Sequence, residues 1–171
     1  ALVATQDRRA FSVLRKLAAD SALVVRLAVV EALPQLNDPR ALNIYLTALE
    51  SGDQVLTAIA MQNLAADSLQ GRQYLPKMIA AYRRLKPPLE VEAAQIIFQS
   101  LARCGDSAVV PILEEALRVP DRAFARAALA PLKSLTGRDY SDQLPPATVP
   151  QQQWFWGDIK DLSGATATIQ T

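Results

Sequence analysis

An all-α chain of paired helices is predicted by three features of the sequence. Its vocabulary is helix-forming: 29 alanines and 24 leucines accompany only 6 glycines and 6% aromatic residues, with little of the Val, Thr and Tyr enrichment that strands need. Leucines recur at long, regular intervals, as Leu33, Leu64, Leu101 and Leu132, separated by 31, 37 and 31 residues. Turn signals cut the chain between them into pieces of helix length. With 171 residues, half of them hydrophobic, there is enough apolar surface to bury a core, and disorder is excluded for most of the chain.

The breaks fall at Ala19-Asp20-Ser21, Asn37-Asp38-Pro39, Ser51-Gly52-Asp53, Ala66-Asp67-Ser68, Lys86-Pro87-Pro88, Cys104-Gly105-Asp106 and Val119-Pro120-Asp121. They leave eight predicted helices, roughly 7–19, 21–36, 39–50, 53–66, 72–86, 88–104, 107–118 and 121–136, with ends uncertain by about 2–4 residues. Asp38 is placed to cap a helix opening at Pro39, where a missing N–H costs nothing, and Asp106 and Asp121 are placed likewise. Pro34 and Pro131 each delete a backbone bond within a helix, while Pro76 and Pro111 fall near helix starts, so bends rather than breaks are expected.

Eight residues before each recurrent leucine stand Val25, Leu56, Ala93 and Phe124, and four residues after those stand Val29, Ala60, Ile97 and Ala128. That is an apolar stripe at 3.6-residue periodicity. A second register lies between, in Asp38-Pro39-Arg40-Ala41-Leu42 leading to Leu49 and Asp106-Ser107-Ala108-Val109-Val110 leading to Leu117. One repeat is thus a helical hairpin. A pair of such short helices cannot bury its apolar faces alone, so about four hairpins, near 7–36, 39–66, 69–104 and 106–136, should stack into a right-handed α-solenoid over residues 1–136. Residues 137–171 form a Pro/Gln-rich, Trp-containing C-terminal extension.

The runs Val25-Arg26-Leu27-Ala28-Val29-Val30-Glu31-Ala32-Leu33 and Asn37-Asp38-Pro39-Arg40-Ala41-Leu42 resemble HEAT repeats, specifically the short bacterial kind also found in phycobilin lyases. The resemblance covers residues 7–136. The third hairpin departs from it, through an insertion around Leu69-Gln70-Gly71-Arg72 that lengthens its first helix. The run Leu135-Thr136-Gly137-Arg138-Asp139-Tyr140, followed at a distance by paired tryptophans, looks like the terminal element of many bacterial HEAT-repeat proteins, often exported ones. The opening Ala1-Leu2-Val3-Ala4 before Asp7-Arg8-Arg9 is compatible with the remainder beyond a removed signal or anchor, and equally with trimming. A bacterial periplasmic or exported location is therefore favoured over the cytoplasm.

Composition excludes much chemistry. The net charge of +1 gives no bulk pull toward nucleic acid or an acidic membrane. Histidine is absent and cysteine occurs once, which removes the commonest general base, the commonest metal ligand, intrachain disulfides and thiolate metal cages. The longest uncharged helical run, residues 54–66, is too short and too polar to span a membrane. Glu90/Glu92 and Glu114/Glu115 are too close along a helix to converge on one substrate. Ser12 precedes Lys16 rather than forming Ser-x-x-Lys. Cys104 falls in the column of Leu36 and Leu135, as a buried small hydrophobe does. No enzyme activity, metal or cofactor is expected.

In HEAT-like solenoids the second helix of each hairpin lines the concave side, and the resemblance implies that a protein or peptide partner lies there. The polar positions on those helices are Arg26, Glu31, Gln35, Gln62, Glu92, Gln95, Gln99, Arg103, Arg122 and Arg126, with Ala130 and Ser134 continuing two of the columns. They make either a partner groove, since Gln and Arg together can read a backbone, or a solvated face. The phycobilin-lyase likeness also permits a lyase-like accessory subunit that cradles a small molecule. The basic cluster Lys77, Arg83, Arg84 and Lys86 admits phosphate or nucleic acid as a further alternative, with HEAT-like alkylpurine DNA glycosylases as precedent, although none of that family's catalytic residues can be placed on this chain. Trp154, Phe155 and Trp156 read as a cap over the last hairpin or as an exposed aromatic hook.

Overall fold

The computed structural model describes residues 8–36 and 38–147; the expectations for residues 1–4 and for Trp154, Phe155 and Trp156 lie outside them. Among the described residues every regular element is helical: α1 Arg8–Leu17, α2 Leu23–Ala32, α3 Ala41–Leu49, α4 Gln54–Leu64, α5 Ser68–Arg84, α6 Val91–Arg103, α7 Val110–Leu117, α8 Arg122–Ala127 and α9 Leu129–Thr136. Short 3₁₀ turns occupy Leu33–Leu36, Ser107–Val109 and Ser141–Gln143. No helix among them is long and apolar enough to cross a membrane.

Helices consecutive in sequence pack as pairs, α3 on α4, α5 on α6, and α7 on α8 and α9. A second set of contacts links alternate helices: α2 meets α4, α4 packs most extensively on α6, and α6 meets α8 and α9. The stripe read from the sequence supplies the packed face. Val29, Ala60, Ile97 and Ala128 are all buried, as are Leu33, Leu64, Leu101 and Leu132, so the register holds through the third hairpin despite its insertion. Phe98 sits at the centre, fully buried, with its ring edge-on to Tyr82 at 5.7 Å and Phe124 at 5.6 Å. The buried Ser100 hydroxyl donates to the Ile96 carbonyl at 2.7 Å, whereas the Thr57 hydroxyl is buried without a partner, an omission that costs roughly 1–3 kcal/mol.

Aspartates start the helices much as expected. Asp53 accepts from the Leu56 N–H at 2.8 Å, and Asp121 accepts from Ala123 and Phe124 at 2.8 and 3.1 Å. Asp106 accepts from Ala108 at 2.8 Å, but it caps a 3₁₀ turn, and α7 proper opens at Val110 rather than at 107. Asp38 likewise holds a turn, accepting the Arg40 N–H at 2.9 Å, so α3 begins at Ala41 and not at Pro39. The Arg40 guanidinium pairs with Asp38 and lies 4.3 Å from the centre of the Phe11 ring, tying α1 to the start of the second hairpin.

Two prolines interrupt the α-helical ladder where bends rather than breaks were expected, since each lacks the N–H that would continue it. α2 tightens into 3₁₀ geometry at Leu33, next to Pro34, and the eighth predicted helix is divided at Ala128, three residues before Pro131. Pro76, by contrast, lies inside α5, because that helix starts at Ser68, four residues earlier than the expected 72. The early start has a local cap, Asp67 accepting the Leu69 N–H at 2.9 Å, and a tertiary tie. Arg72 donates from Nε to the Cys104 carbonyl at 2.6 Å and from Nη2 to the Gly105 carbonyl at 3.0 Å, satisfying acceptors that the end of α6 leaves open. The inserted residues thus cap the next helix.

The last hairpin is covered in part by the residues after α9. Gly137, at φ 71°, closes that helix in the left-handed conformation that suits glycine. Tyr140 then buries its ring in the core, with Leu144 packed beside it.

Burial pushes the Tyr45 hydroxyl up to about 12 from an ordinary 10.0, and burial followed by the Glu115 charge raises Tyr82 in the same direction. A folded-state pKa above the unfolded one gives stability that is complete below pH 10 and is lost as pH rises toward 12, about 2–3 kcal/mol for a shift of this size. Tyr45→Phe should therefore leave stability near neutrality almost unchanged and flatten the alkaline decline, leaving the portions due to Tyr82 and Cys104. Urea unfolding across that range checks it. Identical alkaline losses in the two proteins would contradict this assignment.

Candidate functional site

Helical periodicity puts side chains four apart on one face, and on α6 this aligns Gln99 with Arg103. Gln62 on α4 occupies the same column one hairpin earlier, and Ala130 and Ser134 on α9 continue the two columns one hairpin later. All five are exposed. They line one open cavity of about 430 Å³, together with Ile96, Ser100, Ala102 and the buried Pro131. The cavity exists because the column shrinks: Ala130 offers a methyl group where its predecessors carry glutamine. Pro131 forms the wall at the point where α9 restarts after the division at Ala128.

The donor and acceptor set is mixed. Gln62 and Gln99 each present a carbonyl acceptor and an NH₂ donor, Ser134 a hydroxyl, and Arg103 a cationic fork with no acceptor. Such a set can hold a peptide group from both sides and one carboxylate. Among the described residues there is no group of three or more His, Cys, Asp or Glu side chains placed to hold a metal ion. Cys104 is fully buried, and burial raises its thiol above the ordinary value, opposed by Arg72 and reinforced by Asp106.

The other candidates stand apart from this cavity. Arg26 donates to the carbonyls of Asp20 at 2.7 Å and Ser21 at 2.9 Å, closing the turn between α1 and α2. Arg122 donates to the Pro145 carbonyl, and with Arg126 it lines a different opening beside Asp121, Ala123 and Ala147. Glu31, Gln35, Glu92 and Gln95 are exposed and do not line the α4–α6–α9 cavity. The basic residues Lys77, Arg83 and Arg84 of α5 divide: Lys77 and Arg84 share a small cavity with Glu50, where Arg84 donates to the Leu49 carbonyl at 3.3 Å, whereas Arg83 faces a separate groove. Ile96, Ala102 and Pro131 were not singled out from sequence as site residues; their signal was adjacency to Gln99, Arg103 and Ala130.

Among the described residues, this geometry defines an all-helical array of packed helices with a surface cavity of mixed polar and apolar lining. No family model matches the chain, and neither a curated protein nor a solved structure is significantly similar to it.

Proposed function

We propose that the chain is a short, right-handed α-solenoid of HEAT-like hairpins that acts as a non-enzymatic interaction module, holding an extended, carboxylate-bearing peptide segment of a partner protein on its concave side. The observation that carries this is the convergence of Gln62, Gln99, Arg103 and Ser134, from three helices, on one open cavity. Contacts between α2, α4, α6 and α8 in succession support the stacked arrangement. In this account Gln62 and Gln99 bond the peptide backbone, Arg103 takes the carboxylate, and Ala130 leaves room for the chain. Small-molecule binding, as in a lyase-like subunit, and nucleic-acid binding through α5 are the rival outcomes.

Selection of displayed peptides on the immobilised chain, followed by titration, tests it. Selected sequences should carry an acidic residue or a free C-terminus, and Arg103→Ala should weaken them about tenfold, the loss of one charge-assisted hydrogen bond. Gln99→Ala should weaken them less. Salt dependence should be modest, since a single charge pair is involved. Binding indifferent to both substitutions would remove the cavity from the account, and a steep loss with salt shared by oligonucleotides would favour α5.

A further inference from the structure

An apolar groove of about 690 Å³, larger than the polar cavity, shares no residue with it. Tyr82 at the end of α5, Leu85, Pro87 and Leu89 in the segment that follows, Val119 after α7 and Phe124 on α8 form its apolar walls. We propose that the aromatic run Trp154-Phe155-Trp156 of this same chain occupies the groove.

The path of the chain favours that occupant. Arg122 holds the Pro145 carbonyl, and Ala147 lies with Asp121, Arg122, Ala123 and Arg126 around one opening. Asp121 is also a wall of the groove, so the last described residue stands beside it. Trp154 follows seven residues later, a reach of up to roughly 23–25 Å at full extension. Tethering at that length makes docking intramolecular, with an effective concentration on the order of millimolar. The lining suits the guest. Tyr82 and Phe124 flank Phe98 in edge-to-face geometry, and an indole extends such a set favourably.

Both tryptophans of the protein lie in this run, so their emission reports its surroundings without background. In the intact chain the emission should be blue-shifted from that of the urea-unfolded protein and unchanged on dilution. Val119→Asp and Leu89→Asp, both in connecting segments, should each return it to the unfolded value while far-ultraviolet dichroism stays helical. Ala130→Asp, in the polar cavity, should leave the blue shift intact. Independently of any substitution, indole protons should show nuclear Overhauser contacts to the Val119 and Leu89 methyl groups. Emission already at the unfolded value, a shift that fades on dilution as a second copy dissociates, sensitivity to Ala130→Asp alone, or a blue shift without those methyl contacts would each overturn the proposal.

Discussion

Replacing Phe98 with alanine should lower the free energy of unfolding by about 3–5 kcal/mol, measured by urea or thermal denaturation. The ring is fully buried in α6 and touches Tyr82 from α5 and Phe124 from α8 edge-on, so its removal empties the meeting point of three helices. Each aromatic pair adds roughly 0.5–1.5 kcal/mol beyond area burial. Against a total stability of about 5–15 kcal/mol for a domain of this kind, the loss is a large fraction. Phe98→Leu refills part of the volume and should cost about half as much. Gln95→Ala, an exposed position on the same helix, should change stability by less than about 0.5 kcal/mol. A Phe98→Ala loss no larger than that control would show that α6 is not the packing centre.

Gly71→Val should destabilise by about 3 kcal/mol, at the upper end of what overpacking costs. The position is helical, so the constraint is space: a Cβ there would stand 3.1 Å from the Cys104 sulfur and 3.3 Å from both the Ala65 Cα and the Leu64 carbonyl oxygen. Two of those three atoms are backbone and cannot rotate aside. Gly71→Ala meets the same neighbours but gains about 1 kcal/mol of helix propensity, so it should be far milder. Negligible losses from both alanine and valine would mean that the approach of α5 to α4 and α6 is not what requires glycine. The adjacent Arg72 caps α6 from the same inserted turn, so a larger side chain at 71 should also loosen that cap.

Local periodicity made much of the fold legible in advance. The columns through Val29 and Leu33 are buried in every hairpin because a 3.6-residue repeat of apolar side chains admits one packed face. What the sequence could not show depends on contacts distant along the chain. Asp67 caps the turn Ser68-Leu69-Gln70-Gly71 locally, accepting the Leu69 N–H at 2.9 Å, but the tie that holds this turn to the next helix sits at Cys104 and Gly105, 32 and 33 residues beyond Arg72. The division at Ala128 is hidden in an alanine-rich stretch whose only warning is Pro131. For the site, periodicity identified the exposed columns, but which members share a cavity depends on the spacing between helices. Arg26 and Arg122 turned instead to backbone carbonyls, where turns and loops leave acceptors free. The groove between Tyr82 and Phe124 arises where Pro87, Leu89 and Val119, apolar residues of two separate connections, come together.

Site-directed photo-crosslinking addresses the central claim, that the α4–α6–α9 cavity holds a partner protein. Gln99→Cys and Ser134→Cys, labelled with a benzophenone maleimide, place the probe in the cavity, and Arg118→Cys places it on an exposed residue at the end of α7. Cys104, fully buried, stays unlabelled in the native chain. Irradiation in an extract of the source cells should give the same discrete protein adduct from positions 99 and 134, none from 118, and loss of the adduct when Arg103→Ala is added. No protein adduct at 99 and 134, equal yields from all three positions, or adducts indifferent to Arg103→Ala would contradict the account.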